Sequence, residues 1–304
     1  SLGVRKKTMS ILLDHQLQEQ IPRNTRAFPI AFYCDELATF PYYAGAMHWH
    51  PYCEIATAQS GVLDYQVGQH HIRLEAGDSI FVNGNRLHGV RQLSGETPDP
   101  MPNIVFSGTV VAPETSTIYQ KYIQPVIQCD LLPFIVFRHD HDSCEEVHQL
   151  IQDTYCAMRE KRDCYELRVQ RNISRIFEYI FQNFEAWPKA DASPMPLNTQ
   201  IRMQKMLSYI YQHYADTVTL ADIAHAAHIS RSEAGRCFHA YLGCSPVEAL
   251  IQYRLQTAQR LLNETTRTLQ EISFACGFHS VSYFSRQFRS MSGYSPGQKH
   301  KLGK

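Results

Sequence analysis

Between residues 28 and about 140, apolar and polar positions alternate in short runs broken by turn residues. That period of two predicts strands. Leu63-Asp64-Tyr65-Gln66-Val67 and Ile72-Arg73-Leu74 flank Gly68-Gln69, and Glu75-Ala76-Gly77-Asp78 precedes Ser79-Ile80-Phe81-Val82. Strands at this spacing fit a small barrel or sandwich. From Cys144 to Phe184 the period becomes helical. Val147, Leu150, Ile151 and Tyr155 form one stripe, and Leu167, Ile173, Ile176, Phe177, Ile180 and Phe181 form another,. Such a pair of helices packs on the barrel or on a second copy of the chain.

Three prolines crowd the stretch from Trp187 to Pro196, which discourages both helix and strand and marks a linker at 187–197,. The expected organisation is therefore α+β in two domains. Residues 1–186 hold the barrel (about 28–140) and the helical pair (144–184), and residues 198–304 form an all-α domain. In that second domain helix starts are dense. Asn198, Thr219, Ser230 with Glu233, Ser245-Pro246 with Glu248, Thr268 with Glu271, and Ser280 are all placed to cap helices,.

The second domain also repeats itself. Arg236, Phe238, Gly243 and Ser245-Pro246 stand 50 residues before Arg286, Phe288, Gly293 and Ser295-Pro296. Upstream the offset is 49, pairing Thr219 with Thr268, Ile223 with Ile272, Ala227 with Cys276 and Ile229 with Phe278. Each copy reads as a capped short helix, a tight turn and a second capped helix, which is helix-turn-helix spacing. Small residues at Ala224 and Ser273 let the paired helices approach. One edge of each second helix (Cys237, Phe238, Tyr241; Phe284, Phe288, Met291) turns inward, leaving the other to enter a major groove about 12 Å wide.

Charge sharpens this picture. The whole chain is neutral, but residues 197–304 hold 12 Lys and Arg against 6 Asp and Glu, while the rest holds 17 against 23. A basic C-terminal third suits phosphate contact. The nine cysteines show no paired spacing, which fits buried, reduced thiols in a cytoplasmic protein rather than a disulfide framework,. No apolar run approaches the roughly 20 residues of a membrane helix, so no membrane partner is expected.

The stretch from about 199 to 300 resembles the AraC/XylS family of regulators. The carriers are Leu220-Ala221-Asp222-Ile223-Ala224, Ile229-Ser230, Arg236-Cys237-Phe238, Tyr253-Arg254-Leu255, Ile272-Ser273, Cys276-Gly277-Phe278, Tyr283-Phe284-Ser285-Arg286-Gln287-Phe288 and Tyr294-Ser295-Pro296. The resemblance implies double-stranded DNA as partner, read in adjacent major grooves by the second helix of each unit. By position, Arg231 to Tyr241 is the first reader, with Ser232, Gly235 and Arg236 toward bases and Glu233 beside them. Val281 to Met291 is the second, with Ser282, Tyr283, Ser285 and Arg286 toward bases. Arg289 and the helix starts at Ser230 and Ser280 then hold phosphates. His228 stands where the family usually has the turn glycine that Gly277 supplies in the second unit, and Gly235 offers no side chain to a base.

His48-Trp49-His50, Glu54 and Gly61, followed by Gly77, His88 and Gln92, have the spacing of cupin motifs, so the first domain resembles the cupin sensor of the same regulators. Asn83 and Asn85 stand where cupins often have proline and glycine. On a strand, His48, His50 and Glu54 share a face. With His88 they form a candidate set for zinc, iron, manganese or nickel, although no cofactor is required for the regulator reading and no catalytic residue is assigned. With Tyr65, the same side chains are candidate ligands for a small polar effector, a sugar among them. Trp49 is expected to pack, and His70-His71 to be exposed. The expected function is a homodimeric transcription activator working with RNA polymerase. A cupin metalloenzyme with a DNA-binding tail, or a DNA-binding module whose barrel only dimerises, are the alternatives.

Overall fold

The computed structural model describes residues 27–36, 47–93, 100–188, 197–292 and 295–297. They fall into two compact units, the first ending before, and the second beginning after, residues 189–196. Most of the expected linker lies outside the described residues, as do Gly293 and Tyr294. Among the described residues no helix is long and apolar enough to cross a membrane.

The N-terminal unit is built on two antiparallel sheets. The larger has the order β1 (Ile30–Glu36), β7 (Pro100–Phe106), β2 (Cys53–Thr57), β5 (Ser79–Val82), β8 (Phe134–Phe137). The smaller has the order β4 (His70–Leu74), β3 (Leu63–Val67), β6 (His88–Gln92). Gly68-Gln69 closes the β3–β4 hairpin, with Gly68 at φ 57° as a two-residue turn requires,. Central strand β2 is buried along its length, and its two faces do different work. Cys53 and Ile55 join an apolar core with Phe81, Ile104, Phe106 and Phe177. Glu54, on the opposite face, meets Tyr65 of the smaller sheet.

Helices α2 (Glu145–Glu160) and α3 (Tyr165–Gln182) cover the larger sheet. Phe177 packs edge-on to Phe81 and Phe106 at 6.1 and 6.3 Å, and such aromatic geometry adds to the area term. Tyr155 of α2 donates to Ile55 O and shares a hydrogen bond with Thr57, tying helix to sheet. An Asp153 carboxylate holds Arg168 and Asn172 of α3 against α2. Trp187, the first residue of the expected linker, packs on Phe137 and Tyr179 of this unit.

Several expectations need correction. Residues 108–127 are not strand. They hold a turn of 3-10 helix (Gly108–Val110), a π-helical segment (Tyr119–Ile123) and α1 (Gln124–Ile127). Ser107 and Ser116 cap these turns, and Pro125 takes the first turn of α1, so local capping outweighs the β-branched Thr109, Val110 and Val111,. Leu167 lies off the buried stripe of α3 and is 65% exposed, where Val169 takes the inward place. Not all cysteines are buried: Cys34 and Cys164 are exposed.

The C-terminal unit is all helical: α4 (Leu197–His213), α5 (Leu220–Ala226), α6 (Arg231–Leu242), α7 (Pro246–Glu264), α8 (Leu269–Ala275) and α9 (Val281–Ser292). Thr219, Ser245 and Thr268 make full capping boxes with Asp222, Glu248 and Glu271. Two caps differ from expectation. Asn198 lies inside α4 rather than before it. Ser230 accepts from Glu233 N, but the Glu233 carboxylate turns to Arg202 at 2.5 Å instead of closing the box.

Candidate nucleic-acid interface and effector site

The two helix-turn-helix units share one turn chemistry. In the first, His228 N donates to His225 O (2.9 Å) and Ile229 N to Ala224 O (3.1 Å). In the second, Gly277 N donates to Phe274 O and Phe278 N to Ser273 O, both at 3.0 Å. These paired bonds satisfy the last carbonyls of α5 and α8 and need a left-handed residue between the helices. His228 adopts φ 55° and Gly277 φ 77°. Ala224 and Ser273 are buried beneath the turns, which is the small-residue contact the sequence implied.

Each second helix is one-sided. Ala234, Cys237, Phe238 and Tyr241 of α6 are buried, as are Phe284 and Phe288 of α9. Of the residues expected at DNA, Arg231, Ser232, Arg236, Ser280, Ser282, Tyr283, Arg286 and Arg289 are exposed. Glu233, Gly235 and Ser285 are half-buried, and Glu233 is already occupied by Arg202. Around Gly235 a Cβ would meet nothing within 4 Å, so its helix face is open. The Arg286 guanidinium sits 5.7 Å from the Tyr283 ring. The repeat also pairs exposed His239 with Arg289 in the last turns of α6 and α9. That correspondence lies in the offset of 50 and adds a residue to the expected set.

In the N-terminal unit, the two cupin-like segments fold onto each other. His48 and His88 exchange backbone hydrogen bonds at 2.9 Å, and Asn85 N donates to His50 O at 2.7 Å with Asn85 at φ 60°. The Gly84 backbone passes so near that a Cβ there would lie 2.6 Å from Pro51 O. Asn83 donates its side-chain amide to Val126 O and Leu132 O, anchoring this turn to the helical segment.

His48, His50, Glu54 and His88 are all buried, and one ligand atom from each falls within 4.8 Å of the others. Glu54 Oε2 lies 3.2 Å from both His50 Nε2 and His88 Nε2, and Tyr65 donates its hydroxyl to Oε1 at 2.6 Å. His50 Nδ1 faces Tyr52 O at 3.0 Å and His88 Nδ1 faces Arg86 O at 2.8 Å. A carbonyl only accepts, so both Nδ1 atoms carry the proton and both Nε2 atoms turn inward. Burial pushes His50 below its ordinary value although Glu54 opposes this. Burial also disfavours charge on Glu54, but the two imidazoles outweigh it and hold the carboxyl well below the usual range. That lowering needs protons on Nε2, which burial disfavours on His50 once its Nδ1 is already protonated. Left neutral, the imidazoles would aim two lone pairs at an ionised oxygen. A divalent cation at their centre resolves that conflict, and imidazoles whose second nitrogen donates to a carbonyl are the usual ligands. The donor set therefore fits a metal ion held by His48, His50, Glu54 and His88.

Trp49 is half-buried and His71 is exposed, with Nδ1 hydrogen-bonded to Asp64, while His70 is half-buried against Phe134.

The family described as a helix-turn-helix domain matches residues 223–301, and the family described as a cupin domain matches residues 41–98. The chain is 25% identical over 288 residues to YdeC, an uncharacterized HTH-type transcriptional regulator of Bacillus subtilis, covering 94% of this chain and 97% of that one. It is 27% identical to the raffinose operon regulatory protein RafR of Pediococcus pentosaceus over 40% of this chain and 44% of that one. Among solved structures, ToxT of Vibrio cholerae aligns over 90% of this chain and 98% of its own at 13% identity and a TM-score of 0.46. The chain thus carries a cupin domain and a helix-turn-helix domain, and along most of its length it is similar to an HTH-type transcriptional regulator.

Proposed function

We propose that this regulator is a cytoplasmic activator whose cupin site takes a divalent cation and, beside it, a small polar metabolite such as a sugar. The observation that carries this reading is the pair of inward Nε2 atoms on Glu54 Oε2 with both Nδ1 protons committed elsewhere. A cation bound there would present its positive charge to a polar metabolite held beside it. The chain's own contribution is orientation: carbonyls fix both imidazoles, and the packed β2 strand fixes Glu54.

Metal-free protein titrated with Zn²⁺, Mn²⁺, Ni²⁺ or Fe²⁺ in a calorimeter is expected to take up one equivalent, and Glu54→Leu none. Failure of the native chain to bind any of the four would overturn the cation reading. An effector at 100 times its dissociation constant then adds about 2.7 kcal/mol to folding, visible as a thermal shift.

At DNA, the exposed edges of α6 and α9 enter adjacent major grooves, and a homodimer formed by the N-terminal units presents two such pairs to promoter and RNA polymerase. An effector shifts the populations of DNA-binding arrangements by no more than its differential affinity for them. Sedimentation is expected to show a dimer at tens of micromolar, and a monomer there removes this step. Arg286→Ala is expected to cost about 1–3 kcal/mol in specific binding and to relax the preference at one base. Arg289→Ala and His239→Ala weaken all sequences alike, because they hold phosphates. An unchanged footprint and affinity for Arg286→Ala counts against α9 as a reader.

A further inference from the structure

We propose that Tyr65 selects the cation this site accepts, by restricting Glu54 to a single free carboxylate oxygen; the inference rests on the cation reading above. The hydroxyl of Tyr65 is a donor toward a carboxylate, and it reaches Glu54 Oε1 at 2.6 Å from the opposite sheet. Tyr65 is buried, and its ring lies parallel to that of His88 with centroids 6.3 Å apart. It stands in the β3 register between Leu63 and Val67, all three turned inward, so the hydroxyl has little freedom to leave. The two oxygens of Glu54 are thereby made different. Oε1 belongs to the phenol, and Oε2 alone faces the imidazole nitrogens of His50 and His88.

That division has a consequence for coordination. Three imidazoles and one carboxylate oxygen make four donors, the number zinc takes in a closed tetrahedral shell. Ions that favour more oxygen ligands, Mn²⁺ among them, gain from a carboxylate that binds through both oxygens. Tyr65 denies them the second oxygen. It is a positioning residue: it touches no ion and acts through Glu54.

The test measures dissociation constants of Zn²⁺ and Mn²⁺ for the full-length chain and for Tyr65→Phe. Removing the hydroxyl is expected to shift the ratio of the two constants about tenfold or more toward Mn²⁺, in the range that outer ligand partners command. A general loosening of the barrel weakens both ions together and leaves the ratio in place. A ratio unchanged within about threefold, with both ions still bound, overturns the role of Tyr65 and leaves the cation site standing. A native chain that binds neither ion overturns both. Should Tyr65→Phe fail to fold, the native chain loaded with Co²⁺ decides: the intense visible absorption of four-coordinate cobalt is expected, and the weak bands of six-coordinate cobalt would overturn the proposal.

Discussion

Gly277→Ala is expected to cost the C-terminal unit about 3 kcal/mol, while His228→Ala, at the matching place in the first unit, costs about 1 kcal/mol or less. Both positions are left-handed, at φ 77° and 55°. A side chain in that conformation carries a penalty of roughly 1–2 kcal/mol, and His228 already bears it. Gly277 adds a second constraint. A Cβ there would lie 2.5 Å from Tyr214 O and 3.0 Å from both Ala215 O and Arg254 Nε. These atoms cannot step back cheaply, because Arg254 donates to Tyr214 O at 2.6 Å and to Asp216 O at 2.7 Å while its guanidinium sits 5.9 Å from the Phe278 ring. The substitution therefore breaks either the turn before α9 or the Arg254 clamp that holds the end of α4 beside it. Denaturant melts of the full chain read the cost, and footprinting reads the loss of the second unit's contacts. Equal costs at the two positions would show that the close approach at Gly277 is relieved at little expense.

The same comparison shows what a sequence can carry. The offsets of 49 and 50 are local facts, and they located the capped helices, the shared turn and its left-handed residue, because each depends on neighbours a few positions apart. His48, His50, Glu54 and His88 were legible as a set from their spacing, but not through one shared strand: His48 forms an isolated bridge with His88, and a bend at Pro51-Tyr52 separates His50 from Glu54 on β2. The commitments of individual polar atoms were not legible. Tyr65 read as a ligand for hydroxyls, yet its own hydroxyl is bound to Glu54. Asn83 read as a departure from a proline, yet its amide donors hold Val126 O and Leu132 O more than forty residues away. Leu167 fitted a helical stripe by spacing, but which stripe is buried is decided by the sheet that α3 meets. Such outcomes depend on tertiary partners that periodicity does not encode.

Asp78 sets the other large effect, in the N-terminal unit. Its carboxylate is buried at the start of β5 and accepts from Glu75 N (3.0 Å), Arg138 Nη1 (2.7 Å), His139 N (2.9 Å) and His139 Nδ1 (3.0 Å). It thus fastens the end of β8 to the turn that leads into β5, the strand paired with β2 and Glu54. Asp78→Ala is expected to cost about 3 kcal/mol, since charged hydrogen bonds contribute roughly 1.5–3 kcal/mol each when a partner is removed and Arg138 and His139 recover part of this in water. The pH dependence follows from two opposite shifts. Burial disfavours the charge on Asp78, but hydrogen bonds from His139, Glu75 and Arg138 outweigh it and lower its value below 3.8. Its contribution is complete above the unfolded value and is lost as pH falls through the lowered folded one. The hydrogen bond to Asp78 raises His139 above 6.5. Its contribution is complete below 6.5 and is lost as pH rises through the raised folded value. Together they predict a plateau of stability from about pH 4 to 6.5, falling on both sides. In Asp78→Ala both flanks should flatten in melts recorded across that range, and a variant that keeps the native pH profile would show that this clamp does not govern the stability of the cupin unit.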